Sequence, residues 1–288
     1  MRHPNVPESL EGWSILHRMF RFDRRRFDAL SATQQEAIGR EATAALQAVT
    51  DDPDRDVGLV QTLGHKADLM LTGYARSFDA LGEWQVAFDR LALADYLEPR
   101  DSYVSMLELG LYDFTPRMHA QLRDRGLQPN TEGWNAAYDE LLEEASHDPR
   151  NAGRLWAKIP QRRYACFYPM NKRRGESENW YALPYDERGR MMVDHGKIGR
   201  SWHGRVNQVI SGSIGFDDWE WGVDLYADDP VVFKRLVYEM RFDAASSRFG
   251  EFGAFWSGMQ FSIAELPRFL DGSASPQLRR VEAQVALR

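Results

Sequence analysis

The element order strand-helix-strand-strand-helix-strand can be read twice along this chain, once before residue 113 and once after residue 152. In the first half Trp13, Ile15, His17 and Met19 alternate with Ser14, Leu16, Arg18 and Phe20. Neither set is polar, so the segment reads as a strand covered on both faces or lying in an interface. Residues 1–10 before it read as a loose arm. Ser31 opens S-A-T-Q-Q-E, a helix-start signal, and an alanine-rich stretch runs to Val49 before Asp51-Asp52-Pro53-Asp54 stops it. Strands at 57–63 and 68–74 flank a short turn, Gly64-His65-Lys66-Ala67. A helix from Ser77 to about Leu93 places Leu81, Trp84, Phe88 and Leu91 on one face, and a strand follows at 102–112.

The second half repeats the order. A strand at 163–170 leads to a helix at 185–202, then to strands at 208–215 and 219–227 around the turn Phe216-Asp217-Asp218. Pro230 stands at the front of a helix reaching about Arg241, where proline is favoured, and a last strand covers 254–263. Halves of one element order without obvious sequence identity point to an old duplication. The fold class expected is α+β: two tandem ferredoxin-like (βαββαβ) units whose eight strands form a dimeric α/β-barrel subunit with helices outside. The division expected is 1–112 for the first unit, 113–152 for a connector or insertion, and 153–288 for the second unit. Within the connector, Pro116, Asn130 and Gly133 break the pattern, and a helix at 132–144 ending in Glu143-Glu144 reads as a solvated or packing element.

Composition narrows the function classes. A net charge of −7 argues against a general nucleic-acid binder. Cys166 is the single cysteine, so no internal disulfide can form, which suits a reducing cytoplasm. No signal peptide and no membrane span is read. Nine Trp, eleven Tyr and fifteen Phe either fill a core or interface or line a pocket for a flat ligand, and counting does not separate these. G-x-G-x-x-G after a strand, a P-loop, G-x-S-x-G and H-E-x-x-H are all absent, so nucleotide and hydrolase readings lack their motifs.

The chemistry-bearing residues gather between Tyr164 and Gln208. Met191, His195, Ile198 and Trp202 form one stripe of a helix. Periodicity alone favours a satisfied core histidine at 195. The ligand reading gains from Gly196, which leaves room for a flat macrocycle, and from porphyrin iron needing one protein ligand, commonly histidine. No second ligand at metal-site spacing accompanies it, which disfavours zinc, and the rival His203 sits at the helix end. Tyr168 shares a strand face with Tyr164 and Cys166, and is either part of an aromatic ladder or a redox-active phenol. Pro169 implies a strand end or edge. Lys172, Arg173 and Arg174, with Arg162 and Arg163 upstream and Arg154 nearby, are either a solvated face or a site for an anionic ligand. Gln208 is a strand-end polar residue or a neutral hydrogen-bonding group beside an open iron position. Cys166 reads as a buried thiol without a role.

The segments YPMNKRR at 168–174, NWYALP at 179–184, MMVDHGKIGR at 191–200, SGSIGFDDWEWGV at 211–223 and FKRLVYEMRFDAASSRFGEFG at 233–253 resemble the chlorite-dismutase-like superfamily. They are most similar to its coproheme decarboxylase branch, the peroxide-dependent haem synthases, and LGHKADLMLTGYARSFDAL and SYVSMLEL in the first half agree. The resemblance implies a homopentamer of tandem ferredoxin-like subunits with porphyrin in the C-terminal half. By position, His195 matches the iron ligand, Tyr168 the tyrosine that forms a radical, and Lys172 the lysine that holds a propionate and assists proton transfer. Pro169, Met170 and Asn171 lie in the same pocket-lining segment. Arg154 and Ser246 match propionate contacts, Trp219 matches a pocket-lining position, and Tyr112 is a weaker match.

Gln208, thirteen residues after His195, stands where true chlorite dismutases carry an arginine; Arg205, three residues away, would put a cation near the iron only under a shifted alignment. The resemblance thus implies Fe-coproporphyrin III (coproheme) as substrate and cofactor, hydrogen peroxide as oxidant and haem b as product. It also implies a transient contact with coproporphyrin ferrochelatase and no nucleic-acid or membrane partner. Chlorite dismutase, haem peroxidase, and a non-catalytic haem-binding protein on the same fold are the alternatives.

Overall fold

The computed structural model describes residues 6–110, 112 and 114–279. The first unit consists of β1 (Leu10–Phe22), α1 (Arg24–Asp28), α2 (Ala32–Asp51), β2 (Arg55–Thr62), β3 (Leu69–Ala75), α3 (Phe78–Asp89) and β4 (Leu97–Leu109). Three helices follow, α4 (Phe114–Asp124), α5 (Glu132–His147) and α6 (Pro149–Leu155). The second unit consists of β5 (Tyr164–Lys172), α7 (Tyr185–Ser201), β6 (Val206–Gly212), β7 (Trp221–Ala227), α8 (Val231–Met240), α9 (Ala244–Ser247), β8 (Gly250–Phe252) and β9 (Trp256–Phe261), and α10 (Leu266–Asp271) closes the chain. Both units therefore have the βαββαβ order of an α+β ferredoxin-like fold. Residues 1–5 of the expected N-terminal arm lie outside the described residues.

Local chemistry explains most of these limits. Ser31 caps α2 with a full capping box, its side chain accepting from Gln34 N while the Gln34 side chain accepts from the Ser31 amide. Proline at 116 sits in the first turn of α4, where its missing N–H costs nothing, so the residue that looked like a breaker starts a helix instead. Asp148 caps α6, which has proline at its first position. β8 is only three residues long and carries too little alternation to be seen in sequence.

The strands form one sheet in the order β7-β6-β4-β1-β3-β2-β9-β5-β8, and an additional β5–β7 pairing closes eight of them into a barrel. Two seams join the units: β4 with β6, where Met106 faces Gly212, and β2 with β9, where Thr62 faces Gly258. Inside the barrel Trp13, Ile15, Met19, Tyr74, Phe167 and Tyr226 form a common core. There His17 stacks on Phe167 with centroids 4.0 Å apart and its Nε2 lies 3.0 Å from Asp224 Oδ1, a buried pair tying β1 to β7.

The two outer faces differ. Over the first unit, α2, α3 and α10 bury Ala42, Leu46, Leu81, Trp84 and Phe88 against the sheet. Over the second unit, α7 buries only Arg188. The space between α7 and the sheet stays open.

The β2–β9 seam depends on close backbone approach. A Cβ on Gly258 would lie 2.0 Å from the Gln61 carbonyl oxygen. Gly258→Ala is expected to destabilise the protein by about 1–3 kcal/mol through forced backbone movement. Denaturant unfolding checks this, and an unchanged midpoint would contradict the packing described.

Candidate functional site

The open space is a cavity walled by alternate residues of the sheet. Tyr168 and Met170 on β5, Trp221 and Val223 on β7, and Gln208 and Ile210 on β6 face it. From α7 come Met192, His195, Gly196 and Gly199, whose spacing is one helical stripe. Lys172, Ser246, Phe252, Tyr112 and Trp180 complete the lining together with Val237 and Met240 of α8. Most of these groups are apolar, with a few polar groups converging, which is the make-up of a small-molecule or cofactor site.

His195 is held by an aspartate 48 residues away. Its Nδ1 lies 2.9 Å from Asp243 Oδ2. Asp243 also caps α9, accepting from Ser246 N through Oδ1 at 2.9 Å and from Ser246 Oγ through Oδ2 at 3.1 Å. Burial pushes the Asp243 carboxyl up, but the hydrogen bonds it accepts from His195 and from the Ser246 amide and hydroxyl outweigh it, so its acidity rises. With Nδ1–H donating to a carboxylate, Nε2 keeps its lone pair, and it makes no hydrogen bond among the described residues. A histidine so oriented suits a metal-ligand role. The two glycines beside it leave the α7 wall flat.

Across the cavity Tyr168 is 4% exposed and stacks on Phe255 with centroids 4.4 Å apart. Its hydroxyl has no hydrogen-bond partner among the described residues. Burial pushes its phenol well above the usual range, and the nearby Arg241 charge only partly offsets this. Farther along the same strand, Lys172 is 6% exposed; its Nζ donates to the Ala245 carbonyl at 2.8 Å and lies 4.7 Å from the Trp180 ring centroid. Burial lowers its pKa to about 8, against the opposing pull of Asp243 and Glu220. The Gln208 amide donates to the Gly199 carbonyl at 3.3 Å, spanning the gap between β6 and α7.

His195, Tyr168, Lys172, Met170, Gln208 and Ser246 are thus brought together, with Tyr112 among them. Four other expected residues do not line the cavity. Arg154 is exposed on α6 and faces a separate cleft with Arg117 and Asp148. Pro169 and Asn171 hold loops instead, Pro169 O accepting from Gly253 N and Asn171 Oδ1 from Glu220 N. Trp219 precedes β7 and packs at the edge of the barrel core, so Trp221 takes the lining position.

The basic run also divides. Arg173 pairs with Glu251, Arg174 with Glu220, Arg162 with Asp228, and Arg163 with backbone carbonyls, leaving Lys172 as the member that enters. The expected helix stripe splits as well: Met191 packs with Trp180 and Phe249, and Trp202 joins a core cluster with its indole donating to Glu239.

The family model described as chlorite dismutase matches residues 35–261. The chain belongs to the chlorite dismutase family. Within that family it is 38% identical over 258 residues to a coproheme decarboxylase of Staphylococcus saprophyticus, a match spanning 88% of this chain and 94% of that protein. It is also 38% identical over 285 residues to a protein of Haloquadratum walsbyi described as heme-binding, covering 98% of this chain but 50% of the relative. The chain therefore spans about half the length of that relative. Among solved structures, a heme-binding protein of Thermus thermophilus superposes with a TM-score of 0.79 at 36% identity, covering 94% of this chain and 99% of the other. A chlorite dismutase of Candidatus Nitrospira defluvii, at 17% identity and a TM-score of 0.67 over 90% of this chain and 96% of that one, shares the fold.

Proposed function

We propose that the chain is a coproheme decarboxylase: with hydrogen peroxide it converts two propionates of Fe-coproporphyrin III to vinyl groups and yields haem b. The observation that carries this reading is the placement of Tyr168 and Lys172 opposite an aspartate-oriented His195 across one apolar cavity. A carrier needs the histidine and the apolar walls but has no use for a buried phenol and a buried amine together. The 38% identity to a named coproheme decarboxylase supports the same reading.

The residues fit an iron porphyrin: His195 Nε2 would ligate the iron, the Gly196–Gly199 stripe would accept the flat ring, and Lys172 and Ser246 would receive carboxylates. When bound, the substrate's own iron transfers electrons to peroxide, and the protein supplies position and electrostatics. Tyr168 enters as a neutral phenol, so it must shed a proton as it loses an electron. It regains a hydrogen atom from the propionate carbon next to the ring. Loss of one further electron and of carbon dioxide leaves the vinyl group. Per propionate, one peroxide takes up two electrons and two protons and becomes two waters.

The chlorite-degrading reading lacks its cation. Gln208 occupies the cavity wall, while Arg205 stacks on Trp202 at 3.9 Å and donates to the Ser201 carbonyl. Product masses after stepwise peroxide addition to the coproheme-loaded protein test the proposal. Two successive losses of carbon dioxide plus two hydrogens are expected, and porphyrin bleaching without them would refute it. Oxygen release from chlorite would instead favour the dismutase reading.

The Lys172 amine makes binding pH-dependent. Its depressed pKa means the free protein loses the ammonium as pH rises through about 8. A bound carboxylate favours the charged form, so affinity for an anionic porphyrin should fall above that midpoint, by up to about tenfold per pH unit until the bound-state pKa is passed. Lys172→Met should remove this limb of the binding curve. A wild-type curve flat between about pH 7 and about pH 10 would show that Lys172 holds no carboxylate.

The proposal includes a homopentamer, a cytoplasmic setting and a transient contact with coproporphyrin ferrochelatase. Exposed Phe78, Ile214 and Phe216, with Phe78 and Phe216 in edge contact, supply apolar surface for self-association. No helix among the described residues is long and apolar enough to cross a membrane.

A further inference from the structure

Behind one wall of the cavity, bonded to a lining tryptophan, lies a carboxylate that the chemistry above leaves unused. Glu108, at the end of β4, is half-buried, and its Oε1 accepts the Trp221 indole N–H at 2.8 Å. Its other oxygen occupies the space over Gly212, where a Cβ would lie 2.5 Å from it. Gly212 in turn pairs with Trp221 across β6 and β7, so Glu108 reaches over Gly212 to Trp221, which of the three lines the cavity. Directly opposite Glu108 in the β1–β4 pair stands Glu11. Like charges at a cross-strand position are destabilising, so Glu11 disfavours the ionised form of Glu108.

The two tryptophans of the lining are electrostatically opposite. Trp180 donates its N–H to the neutral Tyr112 hydroxyl at 3.1 Å, and that hydroxyl also receives Arg188. The Lys172 amine lies over the Trp180 ring. A cation against an indole face opposes removal of an electron. Trp221 instead has an acid for its N–H partner.

We propose that Trp221 is a second oxidisable side chain of this cavity, with Glu108 as the acceptor of its indole proton. In the step, Trp221 gives one electron to hydrogen peroxide by way of the bound iron porphyrin, and the N–H proton moves to the Glu108 carboxylate. One peroxide takes up two electrons and two protons and becomes two waters: one electron comes from Trp221 and the other from the ferric iron of the bound porphyrin, and Glu108 returns its proton through solvent. Trp221 thereby stores an oxidising equivalent when no propionate faces Tyr168. This rests on the peroxide chemistry proposed for the same cavity, but not on decarboxylation.

Burial raises the Glu108 pKa to about 7, the Trp221 hydrogen bond lowers it, and Glu11 adds to the rise. The titratable groups facing it are Glu11 from β1 and the Tyr103 and Tyr112 phenols, both of which feel its charge. The carboxylate can take a proton only when ionised, so oxidation of Trp221 is favoured as pH rises through about 7.

The test uses the Tyr168→Phe protein loaded with haem, mixed with peroxide, frozen and examined by electron paramagnetic resonance. An indole-centred radical is expected, its line shape altered by ring-deuterated tryptophan. It should be lost in Tyr168→Phe/Trp221→Phe, weakened in Tyr168→Phe/Glu108→Gln, and stronger at higher pH only where Glu108 is present. A radical unchanged by Trp221→Phe, or none at all in Tyr168→Phe, overturns the proposal. In the porphyrin-free protein the Trp221 indole N–H resonance should move with a midpoint that Glu108→Gln abolishes; a resonance that does not move overturns the Glu108 part. Wild-type protein that forms the Trp221 radical yet releases no vinyl product would sink the decarboxylase reading and leave this one standing.

Discussion

Tyr168→Phe is expected to lower the rate of vinyl formation from coproheme by about a thousandfold or more, equivalent to about 4 kcal/mol of barrier, while porphyrin binding stays close to wild type. The separation of the two effects follows from the surroundings of the hydroxyl. It has no hydrogen-bond partner among the described residues, so its removal strands no buried donor or acceptor. The ring keeps its stack on Phe255 and its contact with Phe252. What is lost is the only O–H on β5 that faces the cavity. Mass analysis of the products and a porphyrin titration, done on the same preparation, check both halves. Haem b formed at the wild-type rate would remove Tyr168 from the mechanism.

The second large effect concerns the opposite wall. His195→Ala should abolish axial ligation of the porphyrin iron, read as the loss of the histidine-ligated absorption spectrum. Asp243→Asn should act in the same direction more weakly, by about 10–100-fold in affinity or activity, as for other groups that orient a metal-binding histidine. The asparagine can still bond Nδ1, but it brings no charge and can present an N–H instead of an acceptor. It also weakens the cap of α9, whose Ser246 lines the cavity. Exogenous imidazole that restores the spectrum of His195→Ala would show that the cavity is intact. A wild-type spectrum in the alanine variant would place the iron ligand elsewhere.

How much of this was legible beforehand depends on how far apart the cooperating residues lie. Tyr168 and Lys172 are four residues apart on one strand, so pleat alone puts them on one face. His195 sits on a helix beside Gly196, whose missing side chain already points to room for a flat ligand. Asp243 could have been suspected as a helix cap, since an aspartate directly before Ala244 and Ala245 is a favoured N-cap, but nothing in local sequence links it to His195. Trp219 and Trp221 are two apart and would share a face in a regular strand. Because β7 begins at Trp221, that rule does not extend back to Trp219. Arg154 stands apart for a similar reason: the turn of α6 carries it to another cleft.

The sequence by itself determined the repeated βαββαβ order, the capped helices, the doubly covered strand β1 and a stretch that supplies much of the lining of the candidate cavity. These follow from interactions between residues a few positions apart: side-chain period, capping and turn chemistry. Only the tertiary structure decided that the sheet closes through β5–β7 and the two seams, that one outer face is filled while the other stays open, and which polar groups meet in the opening. Those outcomes depend on residues 40 to more than 200 positions apart, such as His195 with Asp243 and His17 with Asp224. A linear pattern does not encode which helix will lack the side chains to fill the space beneath it.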